Sequence, residues 1–104
     1  MRGDVYRLRA PRDAGGHEQR GARYAVVVQS DLLPLSTWLV APTSTTARPA
    51  SFRPKIDIEG TGTRVLAEQT TAVDPQRLGA CVGRLALHEM AELDAALRTV
   101  LALR

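Results

Sequence analysis

The chain has 104 residues, 44% hydrophobic and 24% charged. That composition suits one ordinary hydrophobic core and excludes a two-domain enzyme, a disordered tail or a fibrous repeat. Its 14 basic and 11 acidic residues leave a net charge of +3, every basic residue except Lys55 is arginine, and residues 1–55 carry net +5 against −2 for residues 56–104, so any anionic partner should meet the front half.

Val5, Arg7 and Arg9 alternate with Tyr6 and Leu8, which predicts a first strand over residues 4–9. Ala10 to Ala22 contains Pro11, Gly15, Gly16 and Gly21 among charged residues and reads as a mobile loop long enough to carry function. Tyr24 to Gln29 is a continuous β-branched run, apolar on both faces, as in a central strand. Thr37 to Ala41 predicts a third strand stopped by Pro42, followed by a polar loop from Thr43 to Pro49.

Phe52 to Ile58 alternates again and, with Pro54 inside it, reads as an edge strand. Gly60-Thr61-Gly62 predicts a turn into a fifth strand, Thr63 to Glu68, with a carboxylate at its end. Asp74-Pro75 has the form of a cap and first residue of a short helical turn through Leu78, and a short strand is expected around Val82. From His88 onward, Met90, Leu93, Leu97 and Val100 or Leu101 recur at helical spacing opposite Glu89, Glu92, Asp94 and Arg98, which predicts an amphipathic helix packed on the sheet. The fold class expected is mainly β with a C-terminal helix (α+β), a single domain over residues 1–104 built as a small antiparallel β-barrel or strongly curled sheet.

The longest apolar stretches fall far below the roughly 20 residues that span a bilayer. The charged start Met1-Arg2-Gly3-Asp4 also lacks the apolar run of a secretory signal. A cytoplasmic protein with no membrane contact is therefore expected. Cys81 is the single cysteine, which excludes an internal disulfide and a structural zinc set and predicts a small buried hydrophobe. No cofactor motif is present, and none is expected. A chain this short buries only about 60–65% of its unfolded surface, so support from a second subunit is anticipated.

Met1-Arg2-Gly3-Asp4-Val5-Tyr6, Gly16-His17-Glu18-Gln19-Arg20-Gly21-Ala22-Arg23, Ala25-Val26-Val27-Val28-Gln29, Val40-Ala41-Pro42-Thr43-Ser44-Thr45, Ala67-Glu68-Gln69 with Val73-Asp74, and Arg77-Leu78-Gly79 follow one another at the order and spacing of the MazF/PemK toxin endoribonucleases, which the chain resembles over nearly its whole length. The resemblance implies an SH3-like barrel, a homodimer, and metal-independent cleavage of single-stranded RNA leaving a 2′,3′-cyclic phosphate and a 5′-hydroxyl. It also implies inhibition by a MazE-like antitoxin through an acidic or partly disordered segment. It places the catalytic arginine at Arg23 and the catalytic hydroxyl at Ser44 or a neighbouring threonine, with His17 and Glu68 as further participants. The chain departs from the family at three points. Tyr24 follows Arg23 where proline is usual, Thr70-Thr71 stands where Arg-Thr is usual, and Ala86 stands where a Ser or Thr caps the last helix, at a cost of about 1 kcal/mol.

The residue chemistry fits that activity. A forked guanidinium such as Arg23 matches non-bridging phosphate oxygens and could meet the charge that builds on phosphorus. His17, with an ordinary pKa of about 6.5, and Glu68, if burial raises its proton affinity, are the two candidates for the base. Glu68 could otherwise simply pair with Arg64 or Arg23. Thr43, Ser44 and Thr45 can donate hydroxyl hydrogen bonds to RNA, Gln19 and Arg20 lie in the glycine-rich loop beside His17, and Arg48, Arg53 and Lys55 could form a rail for the RNA backbone. Trp38 and Phe52 could stack on bases or serve the core, and no catalytic part is expected of His88. Two other readings stay open: a barrel that binds RNA without cutting it, and a gyrase poison resembling CcdB. The latter family ends in Trp-Gly-Ile where this sequence ends in Leu101-Ala102-Leu103-Arg104.

Overall fold

A computed structural model describes residues 1–9 and 23–104. The loop expected over 10–22, with His17, Gln19 and Arg20, lies outside the described residues. The strands are β1 (Asp4–Leu8), β2 (Tyr24–Val27), β3 (Trp38–Ser44), β4 (Lys55–Ile58), β5 (Thr61–Val65), β6 (Thr71–Val73) and β7 (Leu78–Arg84), followed by helix α1 (Leu87–Leu101). They form one curled antiparallel sheet in the order β4-β5-β3-β2-β1-β7, with β6 paired to the first half of β3. The expected mainly β fold with a terminal helix is what the chain adopts, with β4 on the predicted edge.

Both faces of the sheet centre are apolar, as the unbroken run at Tyr24–Gln29 requires. Val5, Val26, Ala41, Ile56, Ile58 and Val65 face inward and pack with Leu93 and Ala96 of α1 in the main core. On the outer face, Ala25, Val27 and Val40 form a second cluster with Tyr6, Leu8, Trp38 and Val73. Trp38 lies edge-on to Tyr6, with ring centroids 5.7 Å apart, so it serves this cluster rather than standing free.

Several boundaries differ from expectation. Pro42 does not stop the third strand; β3 runs through it to Ser44 and pairs Pro42 with Ala25. Residues 38–40 of β3 pair with β6 and residues 43–44 with β5, so Pro42 sits where the strand changes partner. Its carbonyl accepts from Leu66 N at 2.8 Å, so its missing N–H would point to that same side, where neither β6 nor β5 is paired with it.

The turn falls at Glu59-Gly60, both at positive φ (51° and 85°), between the paired residues Ile58 and Thr61. Two left-handed residues in a two-residue loop match the right-handed twist of a hairpin, which starts β5 two residues earlier than predicted. Glu68 belongs to a short 3-10 turn, Ala67–Gln69, that follows β5. The strand β6 went unpredicted, β7 is longer than the short strand expected, and Cys81 on it is exposed rather than buried. β7 is an edge of the sheet among the described residues, and Cys81 there is open to solvent. The Asp74 cap is present, its Oδ1 accepting from Gln76 N at 2.9 Å.

The helix begins at Leu87, and Ala86 provides no side-chain cap. Glu89, expected on the solvent face, is only 9% exposed. Its Oε1 accepts from Ala86 N at 2.8 Å and its Oε2 from Asp57 N at 2.9 Å. Asp57 N points outward from the edge strand β4, where no further strand pairs with it, so one carboxylate satisfies both the first turn of α1 and the open sheet edge. Glu89→Ala strands both donors and is expected to lower stability by about 3–6 kcal/mol, since hydrogen bonds to a charged group contribute about 1.5–3 kcal/mol each; thermal unfolding should show a midpoint lower by roughly 10 °C or more.

Candidate RNA-cleavage site

The backbone at Arg23 is fixed although its side chain is exposed: Leu8 N donates to Arg23 O at 2.8 Å. The β2–β3 register pairs Ala25 with Pro42; two residues further along, Arg23 stands across from Ser44. Side chains alternate between faces, so Arg23 shares the outer face with Ala25, and Ser44 shares it with Val40 and Pro42. The arginine and the hydroxyl expected to work together are thus cross-strand neighbours at one end of the sheet. Ser44 also pairs with Arg64, and Arg64 with Lys55, so the outer face continues as a row of Ser44, Arg64 and Lys55 across three strands. Arg64 was not among the expected site residues, and only the strand register could have revealed it.

The three hydroxyl candidates point differently. Ser44 Oγ lies 3.3 Å from Thr46 Oγ1 and accepts from Thr46 N at 3.2 Å, which orients it at the end of β3. Thr43 is buried, its hydroxyl donating to Tyr24 O at 3.4 Å. Thr45 shares the inner face with Thr43 and opens onto a small cavity.

Glu68 pairs with neither Arg64 nor Arg23. Its Oε2 accepts from Arg53 Nε at 2.9 Å and from Arg53 Nη2 at 2.6 Å, while Arg53 also donates to Arg48 O at 3.3 Å and accepts from Arg64 on its own carbonyl at 2.9 Å. Burial pushes the Glu68 carboxyl up, because Oε1 is shielded from solvent and has no hydrogen-bond partner among the described residues. The hydrogen bonds and charge of Arg53, with a backbone N–H, outweigh that and leave its pKa below the ordinary value. The raised proton affinity that a Glu68 base would need is therefore not what this setting produces.

Arg53 is correspondingly committed to Glu68 and to the stacking of its guanidinium over Phe52, 5.4 Å from the ring centroid. With Lys55, Arg64 and, from α1, Glu92, it lines an open cleft of about 300 Å³, and Arg48 lies exposed beside it. His88 is exposed at the start of α1. Among the described residues, no group of three or more His, Cys, Asp or Glu side chains is placed to hold a metal, and no helix is long and apolar enough to cross a membrane.

A carboxylate whose folded pKa is depressed contributes stability above its unfolded value, about 4.3, and loses it as pH falls through the folded value. Urea unfolding midpoints of the wild type should therefore drop between about pH 5 and pH 3 by more than those of Glu68→Gln, the two curves converging at the acid end.

The sequence model of the family described as PemK-like, MazF-like toxin of type II toxin-antitoxin system matches residues 1–101. A candidate toxin of Mycobacterium tuberculosis (strain H37Rv) is 48% identical over 73 residues, which cover 70% of this chain and 69% of that protein. In fold the chain is similar to an endoribonuclease from a mycobacterial species solved in complex with its cognate antitoxin (TM-score 0.80, 22% identity, 100% of this chain and 96% of that one). It is also similar to the M. tuberculosis toxin MazF-mt6 (TM-score 0.77, 17% identity, 97% and 98%). With the family match running almost end to end, the chain belongs to the PemK/MazF family of type II toxin–antitoxin toxins.

Proposed function

We propose that this toxin is a metal-independent endoribonuclease that cuts single-stranded RNA in the cytoplasm, acting as a homodimer of one domain over residues 1–104. The observation that carries the reading is the cross-strand pair Arg23 and Ser44 on one face of the sheet end, a fixed backbone presenting an exposed guanidinium beside an oriented hydroxyl. Together they can bind two non-bridging oxygens of a single phosphate.

In the reaction the RNA 2′-oxygen forms a bond to phosphorus and the bond from phosphorus to the 5′-oxygen breaks, leaving a 2′,3′-cyclic phosphate and a 5′-hydroxyl. The 2′-hydroxyl proton passes to a base and the departing 5′-oxygen takes a proton from an acid. Arg23 meets the negative charge that grows on the equatorial oxygens, and Ser44 donates to one of them. We assign the base to His17, whose ordinary pKa of about 6.5 suits neutral pH. Glu68 acts as the anchor that holds Arg53 beside the row of Ser44, Arg64 and Lys55. Arg48, Lys55 and Arg64, with Gln19, Arg20 and Thr45, contact the RNA strand, and the inhibitory antitoxin segment is acidic and covers this arginine-rich face.

Purified protein incubated with a single-stranded transcript in excess EDTA should cut it, and sequencing should find 5′-hydroxyl ends; intact RNA, or cutting only after metal is added, removes the proposal. Arg23→Ala should lower the cleavage rate by about 10²–10³-fold, or roughly 3–4 kcal/mol of transition-state stabilisation, with an unchanged circular dichroism spectrum. His17→Ala should cost more activity than Glu68→Gln.

A further inference from the structure

Beside Arg23 and Ser44, but on the inner side of the same sheet end, is a cavity of about 210 Å³ lined by Tyr24, Thr45, Ile58, Thr61 and Thr63. The sheet opens there for a reason visible in the register. β3 keeps its pairing with β5 only at Thr43 and Ser44, whereas the β4–β5 hairpin continues past that point to Ile58 and Thr61. The space between the departing β3 chain and the hairpin is the cavity.

We propose that this cavity is a specificity pocket that receives one unstacked nucleobase of the RNA, next to the phosphate that is cut. The inference rests on the nuclease reading and adds to it the residues that choose the base. Three properties favour a base over other ligands. No charged side chain is among the described lining residues, so these residues offer a phosphate or carboxylate nothing to pair with. Ile58 and three threonines make the lining partly apolar and partly polar, and no hydrogen bond joins the hydroxyls of Thr45, Thr61 or Thr63 to another described residue. A flat group with an apolar face and a polar edge fits such a lining. The volume lies below the roughly 300–1,000 Å³ of pockets for larger small molecules, which restricts the occupant to a single small ring system.

Position supplies the fourth argument. Tyr24 follows Arg23 and Thr45 follows Ser44, so the cavity begins one residue from each phosphate-binding side chain, about 3.3 Å along each strand. Tyr24 offers an aromatic wall on which a base can stack, and the Arg7 guanidinium, 5.5 Å from the ring centroid, braces it from β1. Thr43 fixes the backbone behind the ring through its bond to Tyr24 O. A proline at position 24 would supply neither an aromatic ring nor a hydroxyl.

Sites that read a ligand by hydrogen bonds reject analogues far more strongly than apolar slots do. Cleavage sites on a transcript library should therefore show a preference for one base at a position flanking the cut. That preference should fall at least tenfold in Thr63→Val and in the double variant Thr61→Val/Thr63→Val, persist in Thr63→Ser, which keeps the hydroxyl, and weaken in Tyr24→Ala. Melting temperatures identify any variant that has failed to fold, and Thr61→Val, at an exposed position, provides the reading in that event. Unchanged base preference in folded valine variants overturns the pocket and leaves the nuclease intact, as does loss of antitoxin binding alone, which would make the cavity a protein-docking site.

If the wild type cuts no RNA, the nuclease reading falls and the pocket is judged by binding. Methyl resonances of Thr45, Thr61 and Thr63 are followed while 2′-O-methyl trinucleotides are titrated in. Shifts confined to these threonines for one base identity support the pocket, and shifts that are absent or the same for all bases overturn it.

Discussion

Strand β3 carries two obligations, and the point where it exchanges one for the other organises the molecule. Its first half is buttressed by β6 and its second by β5, with β2 paired along the opposite side at residues 40–42. A residue at the changeover needs an acceptor but no donor, and Pro42 is the one amino acid with that inventory. Curling the sheet at this place brings the β4–β5 hairpin over the inner face to close the core around Val26, Ala41, Ile56 and Val65. It also leaves the start of β2 and the end of β3 together at one rim, where the register continued from Ala25 and Pro42 sets Arg23 opposite Ser44.

Charge placement follows the same geometry. The positive front half of the chain supplies β1 to the start of β4, and among its described residues Arg23, Arg48, Arg53 and Lys55 lie outside the apolar clusters at the sheet centre. Two carboxylates restrain this arrangement from inside. Glu89 closes the open edge of β4 and the uncapped start of α1 together, and Glu68 fixes Arg53 with two hydrogen bonds. Arg64 in turn binds the Arg53 carbonyl, so the cationic groups nearest the proposed RNA path are joined to one another and to a single partly buried acid.

Much of the fold could be read from pattern. The unbroken β-branched run at Tyr24 correctly signalled a strand buried on both faces, Pro54 signalled the sheet edge, and Asp74-Pro75 signalled a capped turn. What escaped was information about partners. Glu89 occupies a helix position that period alone assigns to solvent, and the N–H groups of Asp57 and Ala86 that its carboxylate accepts explain its burial. Cys81 resembles a core residue by type, yet it lies on an edge strand and is open to solvent. Thr71–Val73 is too short and too polar at its start to announce a strand before β3 is known to need a neighbour. At the candidate site, Arg23 and Ser44 were singled out by the resemblance, and the register adds only that they belong to the same end of the sheet. The pairing of Glu68 with Arg53 instead of Arg64 or Arg23 depended on where the 3-10 turn after β5 pointed.

The two faces of the sheet end therefore divide the labour that a sequence-selective nuclease requires. In the proposed reaction, chemistry needs a cation and a donor that treat every phosphate alike, the roles proposed for Arg23 and Ser44 on the outer rim. Selection needs neutral groups that lose hydrogen bonds when the wrong ligand arrives, which only a partly enclosed surface can enforce. Placing both within one residue of each other on β2 and β3 ties the choice of base to the position of the cut, because a strand whose base fails to seat also fails to present its phosphate to Arg23. If the inner wall selects the base as proposed, substitutions there alter which RNA is cut while the rim stays the same, and Tyr24, next to Arg23 in the chain and part of the cavity lining, is the position where the two proposed roles adjoin.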